Sequence, residues 1–163
     1  RGVLKSGKYD QREEIISKLM EKIPNIRFDL HGMNFKQPIW ADDYIDAISQ
    51  SKIGLNLSQG KPLKYYSSDR FAQLIGNGLL VMVDEKTKFN NFFSNKEVIF
   101  YKNINDLAAK ITKYSNNDKL RNSIAKKGRQ KYFKYFNSSL VAQFIIEKTL
   151  NINSFKKYLW HDK

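Results

Sequence analysis

The sequence contains no cysteine, and this absence excludes disulfide bonds and thiolate metal sites. The chain has only two histidines, His31 and His161, and their separation does not match the ligand spacing of a zinc site. No apolar run reaches the roughly 20 residues that a membrane-spanning helix needs, and the first residues lack a signal-peptide pattern. We therefore expect a protein of the reducing cytoplasm that holds no metal.

Acidic residues are scarce relative to basic ones, since 16 Asp and Glu stand against 29 Lys and Arg and leave a net charge of +13. Such a charge attracts polyanions. The densest cluster runs from Lys119 to Lys134, with seven basic residues and no acid. Three interpretations stay open: a solvated helix face, peripheral contact with an anionic membrane, and a nucleic-acid surface. The last is the least favoured, because no RNA-binding strand or helix-turn-helix pattern is present.

Apolar residues recur at helical or strand spacing along most of the chain. The spacing predicts helices over 10–23, from Asp42 or Asp43 to 51, and over 88–93, 104–114, 118–136 and 138–150, with a last short turn over 154–160. It predicts strands over 26–30, 53–57, 79–83 and 97–101. This alternation is typical of a Rossmann-like α/β fold, a parallel sheet with helices on both faces. We expect one such domain over 1–150, followed by a helical C-terminal tail over 151–163.

The segment from Lys64 to Asp84 is the most informative part of the chain. It reads KYYSSDRFAQLIGNGLLVMVD. Ser67, Ser68 and Asp69 are residue types that cap a helix N-terminus, where a side-chain oxygen accepts a hydrogen bond from a backbone N–H group. Residues 76–78, Gly-Asn-Gly, then predict a helix end directly before a buried strand.

A helix start of this kind also attracts anions, because its first backbone N–H groups lack partners within the helix. Lys64 and Arg70 would add positive charge, so phosphate is the expected ligand. In parallel sheets ligands bind at the carboxyl ends of the strands, and the turn before Ser67 lies at that edge. The alternative is that both serines only cap a structural helix and that both cations are solvated.

The run from Ser67 to Phe136 resembles the C-terminal, donor-binding domain of glycosyltransferases with the two-Rossmann-domain (GT-B) architecture, in the group 1 family. Three stretches carry the resemblance, SSDRFAQLIGNGLLVMVD, EVIFYKNINDLAAKI and DKLRNSIAKKGRQKYFKYF. In the last stretch Ala125, Gly128 and Arg129 match the family's Ala-x-x-Gly-Arg helix. The resemblance implies that this chain is one half of such an architecture and that the N-terminal acceptor domain is absent from it.

The resemblance also implies a ligand, a nucleotide-diphospho-sugar of the UDP or GDP type, bound without a required cofactor or metal. The implied contacts are Lys64, Ser67, Ser68 and Arg70 for the diphosphate and sugar, Gln73 for the ribose, and Gly32 and Met33 near the nucleobase. Alternatively, Gln73 is an ordinary exposed helix residue and Gly32 is only a turn residue. Tyr65 and Gln73 stand where family members carry a pair of glutamates, so neither a retaining mechanism nor a catalytic residue is assigned.

We therefore expect a hexosyltransferase that transfers a sugar from the nucleotide donor to a hydroxyl acceptor in polysaccharide or glycan biosynthesis. The expected location is the cytoplasm, with peripheral contact at the inner face of a membrane. A general base would come from the missing N-terminal domain, so we expect the isolated domain to be inactive. Two alternative hypotheses are that the chain is a basic nucleic-acid-binding α/β module or a non-catalytic Rossmann-like domain.

Overall fold

A three-stranded parallel sheet forms the centre of the computed structural model, which describes residues 11–33, 35–58, 60–152 and 158–160. The strands are Ile53–Asn56 (β1), Leu80–Asp84 (β2) and Ile99–Tyr101 (β3), in the order β1-β2-β3. The α-helices of the described residues are Gln11–Lys22 (α1), Ala41–Ser49 (α2), Asp69–Gly76 (α3), Ile104–Ser115 (α4), Asp118–Tyr135 (α5) and Ser138–Thr149 (α6). None of these helices combines the length and the apolar character that a membrane crossing requires.

The central strand β2 is buried on both of its faces. Leu80 and Met82 pack in one core cluster with residues of α1, α4 and α5, whereas Val81 and Val83 pack in a second cluster with residues of α2 and α3. Because successive side chains of a strand point to opposite faces, helices cover both faces of the sheet. The predicted Rossmann-like α/β fold is thus confirmed.

The prediction of a strand over 26–30 is wrong, because these residues form an irregular segment outside the sheet. Its side chains alternate as expected, with Ile26, Phe28 and Leu30 half-buried and the residues between them exposed. Within the described chain, however, this segment pairs with no strand, and β1 pairs only with β2. Alternating burial shows which side chains face the core, but a strand also needs a partner at hydrogen-bonding distance.

Helix α2 begins at Ala41, one or two residues before the predicted start. Trp40 holds the N-cap position without a side-chain hydrogen bond. Asp42 and Asp43, the two predicted start residues, lie in the first turn. Their carboxylates are favourable there because they face the positive end of the helix dipole.

The helix predicted over 88–93 is present only as a 3₁₀ turn, Phe89–Asn91, and a second 3₁₀ turn, Glu85–Thr87, precedes it. Lys88 separates them with a left-handed backbone, φ 58°, and this conformation interrupts a continuous helix. Of the short turn predicted over 154–160, only 158–160 belong to the described residues.

Helix α5 packs closely against the sheet and against the end of α3. Gly128 lies so near the turn before β3 that a Cβ atom there would stand 2.2 Å from the carbonyl oxygen of Glu97. The next residue, Arg129, donates from Nε to the carbonyl oxygen of Gly76 at 2.8 Å. The Gly-Arg pair of the Ala-x-x-Gly-Arg pattern therefore positions α5 and satisfies a carbonyl of the last turn of α3.

Candidate functional site

Helix α3 begins at the carboxyl edge of the sheet, as predicted. Ser68 is its N-cap residue, with an extended backbone, but its side chain makes no capping hydrogen bond. The hydroxyl lies instead 3.5 Å from Oδ1 of Asn56, the buried last residue of β1. The Ser67 hydroxyl donates to the carbonyl oxygen of Ser68. The predicted cap position is confirmed and the predicted side-chain cap is wrong, so neither serine hydroxyl occupies the first N–H groups of α3.

The two cations predicted to meet phosphate lie on the loop and helix that follow β1. Arg70 donates from a guanidinium nitrogen to the carbonyl oxygen of Leu57 at 3.1 Å, which ties its side chain to the end of β1. Lys64 is exposed, and its ammonium lies 4.6 Å from the ring centroid of Tyr65. Tyr65 is fixed in turn, because its N–H donates to the carbonyl oxygen of Thr87. The Arg70 side chain is thus fixed at the end of β1, and the Lys64 ammonium lies over the Tyr65 ring.

Gln73 lies one turn into α3 and is joined to helix α2. The hydroxyl of Tyr44 donates to Gln73 Oε1 at 2.6 Å, across 29 residues of sequence. Burial raises the pKa of Tyr44, and the positive charge of Arg70 opposes this effect. Arg70 is therefore close enough to act electrostatically on the phenol. Tyr44 was not among the predicted site residues, since no local pattern of the sequence shows a partner so far along the chain.

Two cavities flank α3. The first, the aromatic cavity, measures about 430 Å³ and is lined by Ser67, Ser68 and Asp69 together with aromatic side chains such as Phe71 and Phe136. The second, the strand-edge cavity, measures about 540 Å³ and is lined by residues 25–31 and by β1, Tyr44 and Arg70. Ser67 and Ser68 line the first cavity, and Arg70 lines the second. The Ser68 hydroxyl and the Arg70 guanidinium nevertheless both reach the end of β1, at the adjacent residues Asn56 and Leu57.

Gly32 and Met33 form part of a turn. Gly32 has a left-handed φ of 77°, and its N–H donates to the carbonyl oxygen of Gln37 at 3.3 Å. Met33 packs against the first core cluster. Neither residue lines the aromatic cavity or the strand-edge cavity, whereas the preceding His31 lines the latter. The turn at Gly32 is confirmed, and its contact with a nucleobase stays a prediction.

Carboxylates are sparse around the start of α3. Asp69 lines the aromatic cavity, and Asp84, at the end of β2, accepts a hydrogen bond from the backbone N–H of Lys86. In the described part of the chain, no three side chains of His, Asp or Glu are grouped so that they could hold a metal ion. The site thus offers helix N–H groups, hydroxyls, an amide and cations, a set suited to binding an anionic ligand.

The fold defines an α/β domain with a Rossmann-like parallel sheet and a helix, α3, that starts at its carboxyl edge. The model of the glycosyl transferase-like family matches residues 11–147. The chain therefore belongs to the glycosyl transferase-like family, as the resemblance implied, and it has a role in glycosyl transfer. No curated protein matches the chain significantly.

Proposed function

We propose that this chain is the nucleotide-sugar-binding half of a GT-B glycosyltransferase that transfers a hexosyl group from a nucleotide-diphospho-sugar to a hydroxyl acceptor. One observation carries the proposal: α3 starts at the carboxyl edge of the sheet, and neither serine hydroxyl caps its first N–H groups. A helix start that no side chain caps, together with the helix dipole, favours a bound phosphate.

The ligand lies across the carboxyl edge of the sheet, with its diphosphate at the start of α3. Lys64 and Arg70 neutralise the phosphate charge, and the hydroxyls of Ser67 and Ser68 reach the diphosphate or the sugar. The ribose lies one turn further along α3, at Gln73. The nucleobase, uracil or guanine, lies towards the turn of Gly32 and Met33, because that turn follows the residues lining the strand-edge cavity.

The chemistry that this half supplies is stabilisation of the leaving group. As the bond to the sugar breaks, negative charge grows on the departing diphosphate, and the helix start and both cations stabilise it. No carboxylate stands at position 65 or 73. We place the general base on a second domain across the cleft, so that the isolated chain binds donor without turning it over.

The proposal is tested by titrating the 163-residue chain with UDP and with GDP while backbone amide signals are followed by NMR. We expect shifts over residues 67–73 with at least one nucleotide. The double variant Lys64→Ala, Arg70→Ala should bind at least tenfold more weakly, because each charge-assisted hydrogen bond contributes about 1.5 to 3 kcal/mol. Gln73→Ala should have a smaller effect.

The matched control is the double variant Lys22→Ala, Lys113→Ala, since both lysines are exposed, in the last turns of α1 and α4. It also removes two positive charges, far along the chain from α3, and should leave the affinity unchanged. Melting temperatures of all variants are compared, because Arg70 also bonds to the carbonyl oxygen of Leu57. An absence of shifts over 67–73 at millimolar UDP and GDP would overturn the proposal.

We also propose a location, the cytoplasmic face of a membrane, contacted peripherally through α5. Of the cations between Lys119 and Lys134, three are used within the fold. Arg121 is buried and donates to the carbonyl oxygen of Tyr114, Arg129 bonds to Gly76, and Lys131 lies 3.6 Å from Glu97. The remaining four are exposed: Lys119, Lys126, Lys127 and Lys134.

These four lysines share one face of α5, because their spacing returns them to the same side of the helix. Within the described residues none of them forms an ion pair. The same face carries Phe133, whose side chain is 51% exposed. A row of lysines with an exposed aromatic ring suits the surface of an anionic bilayer. A lipid-linked or cell-surface glycan acceptor would be reached there.

A further inference from the structure

The hydrogen bond between Tyr44 and Gln73 connects two helices at the edge of the proposed site. Tyr44 stands in the first turns of α2, and Gln73 stands one turn into α3. The distance of 2.6 Å between the hydroxyl oxygen and Oε1 lies within the normal range for an O–H···O hydrogen bond. The side chain of Gln73 is therefore held, although the residue is exposed.

The direction of this hydrogen bond follows from the charges around it. Burial raises the pKa of Tyr44, so its hydroxyl stays protonated at neutral pH and can donate. The nearby positive charge of Arg70 favours a phenol whose oxygen lone pairs face the guanidinium and whose hydrogen points away. The hydrogen then meets the amide oxygen of Gln73 rather than its nitrogen.

With its oxygen held by the Tyr44 hydroxyl, the amide of Gln73 has one group that makes no hydrogen bond among the described residues. That group is the –NH₂, which donates hydrogen bonds and cannot accept them. A carboxylate at the same position would accept hydrogen bonds from two ribose hydroxyls. Gln73 instead offers a donor, and a ribose hydroxyl oxygen is a matching acceptor.

We propose that Tyr44 is a positioning residue of the nucleotide site, which holds the amide oxygen of Gln73 so that the amide nitrogen donates to a ribose hydroxyl. This inference rests on the proposed function. Tyr44 does not touch the ligand itself. Its removal should therefore change how the site distinguishes ribose from deoxyribose, in addition to any change in affinity.

The test compares Kd values of the full chain for UDP and for its 2′-deoxy and 3′-deoxy forms, or for the guanine series if GDP binds more tightly. At least one deoxy form should bind the native chain about fivefold more weakly, the equivalent of about 1 kcal/mol for one hydrogen bond. In Tyr44→Phe this ratio should fall towards one, because the released amide rotates. Tyr135→Phe, at the end of α5, is the control and should keep the native ratio.

A purely structural role for Tyr44 would weaken the binding of ribose and deoxyribose forms equally and leave their ratio unchanged, which would overturn the inference alone. A native chain that binds nucleotide without preferring ribose would do the same. A native chain that binds neither UDP nor GDP would overturn the proposed function as well. As a further check, Tyr44→Phe should have no added effect on the ratio when Gln73 is already alanine, because Tyr44 acts only through the Gln73 amide.

Discussion

The space around residue 128 requires glycine, whereas the space around residue 76 would admit a side chain. A Cβ atom at Gly128 would lie 2.2 Å from the carbonyl oxygen of Glu97, inside the van der Waals limit. At Gly76 the nearest atom to such a Cβ is Phe133 Cζ, at 4.0 Å. The two glycines lie on helices that pack against each other, α5 and α3. Comparing alanine variants of the two therefore distinguishes the steric effect of a methyl group from its effect on helix propensity.

Gly128→Ala should destabilise the fold by about 2 kcal/mol or more, because the backbone of β3 or of α5 has to move to admit a methyl group. Gly76→Ala should be neutral or stabilising by up to about 1 kcal/mol, since alanine favours helix over glycine. Urea unfolding of the two variants at neutral pH measures both effects. Equal shifts of the two midpoints would contradict the steric explanation.

At the scale of elements, Glu97 connects the turn before β3 to helix α5. Its Oε2 atom accepts from the backbone N–H and the hydroxyl of Ser94 at 2.6 and 2.7 Å, and it lies 3.6 Å from the ammonium of Lys131. Partial burial acts to raise the pKa of Glu97, but the hydrogen bonds from Ser94 and the charge of Lys131 outweigh it, so the pKa is lowered. The folded state therefore favours the charged carboxylate.

A lowered pKa in the folded state stabilises the fold above the unfolded pKa of 4.5. That stabilisation is lost as the pH falls through the folded value. Glu97→Gln should thus cost about 1 to 2 kcal/mol at pH 7 and much less near pH 3. The free energy of unfolding of both proteins, measured by urea at the two pH values, gives the result. A difference that does not shrink in acid would show that the carboxylate charge is unimportant.

Elements determined by nearby residues were predictable from the sequence. The end of α3 is one: Gly78 has φ 83°, its N–H bonds to the carbonyl oxygen of Ile75, and the N–H of Leu79 bonds to that of Leu74. This is a Schellman motif, which glycine at that position favours. The absence of a strand over 26–30 was not predictable in the same way. It depends on whether this segment lies close enough to β1 to pair with it, and β1 is more than twenty residues further along the chain.

The same division applies to the candidate site. The position of the α3 start follows from Ser68 and the residues after it, so it could be read locally. The partner of the Ser68 hydroxyl is Asn56, and the partner of Gln73 is Tyr44, 12 and 29 residues away. Such contacts are set by how β1 and α2 pack beside α3, and no periodicity or motif in the sequence encodes them.

At the scale of the whole molecule, a net charge of +13 draws the protein towards any polyanion. Overall charge acts at long range and is screened by salt within about 8 to 10 Å. A docking face needs several cations on one surface instead. The exposed face of α5 has this arrangement, with Lys119, Lys126, Lys127 and Lys134 beside the exposed ring of Phe133.

Changing these four lysines to glutamine should reduce binding to vesicles that contain a third of phosphatidylglycerol at least tenfold, since each surface cation contributes about 1 kcal/mol at an anionic bilayer. A control with glutamine at four dispersed exposed lysines, Lys22, Lys36, Lys96 and Lys113, has the same net charge, 13 − 4 = +9. Co-sedimentation at fixed salt measures both variants. The control should bind nearly as well as the native chain, because its lysines do not share one face. Equal losses of vesicle binding in the two variants would assign the binding to net charge alone. Tighter binding of the native chain to an RNA oligonucleotide than to the vesicles would favour nucleic acid as the partner of α5.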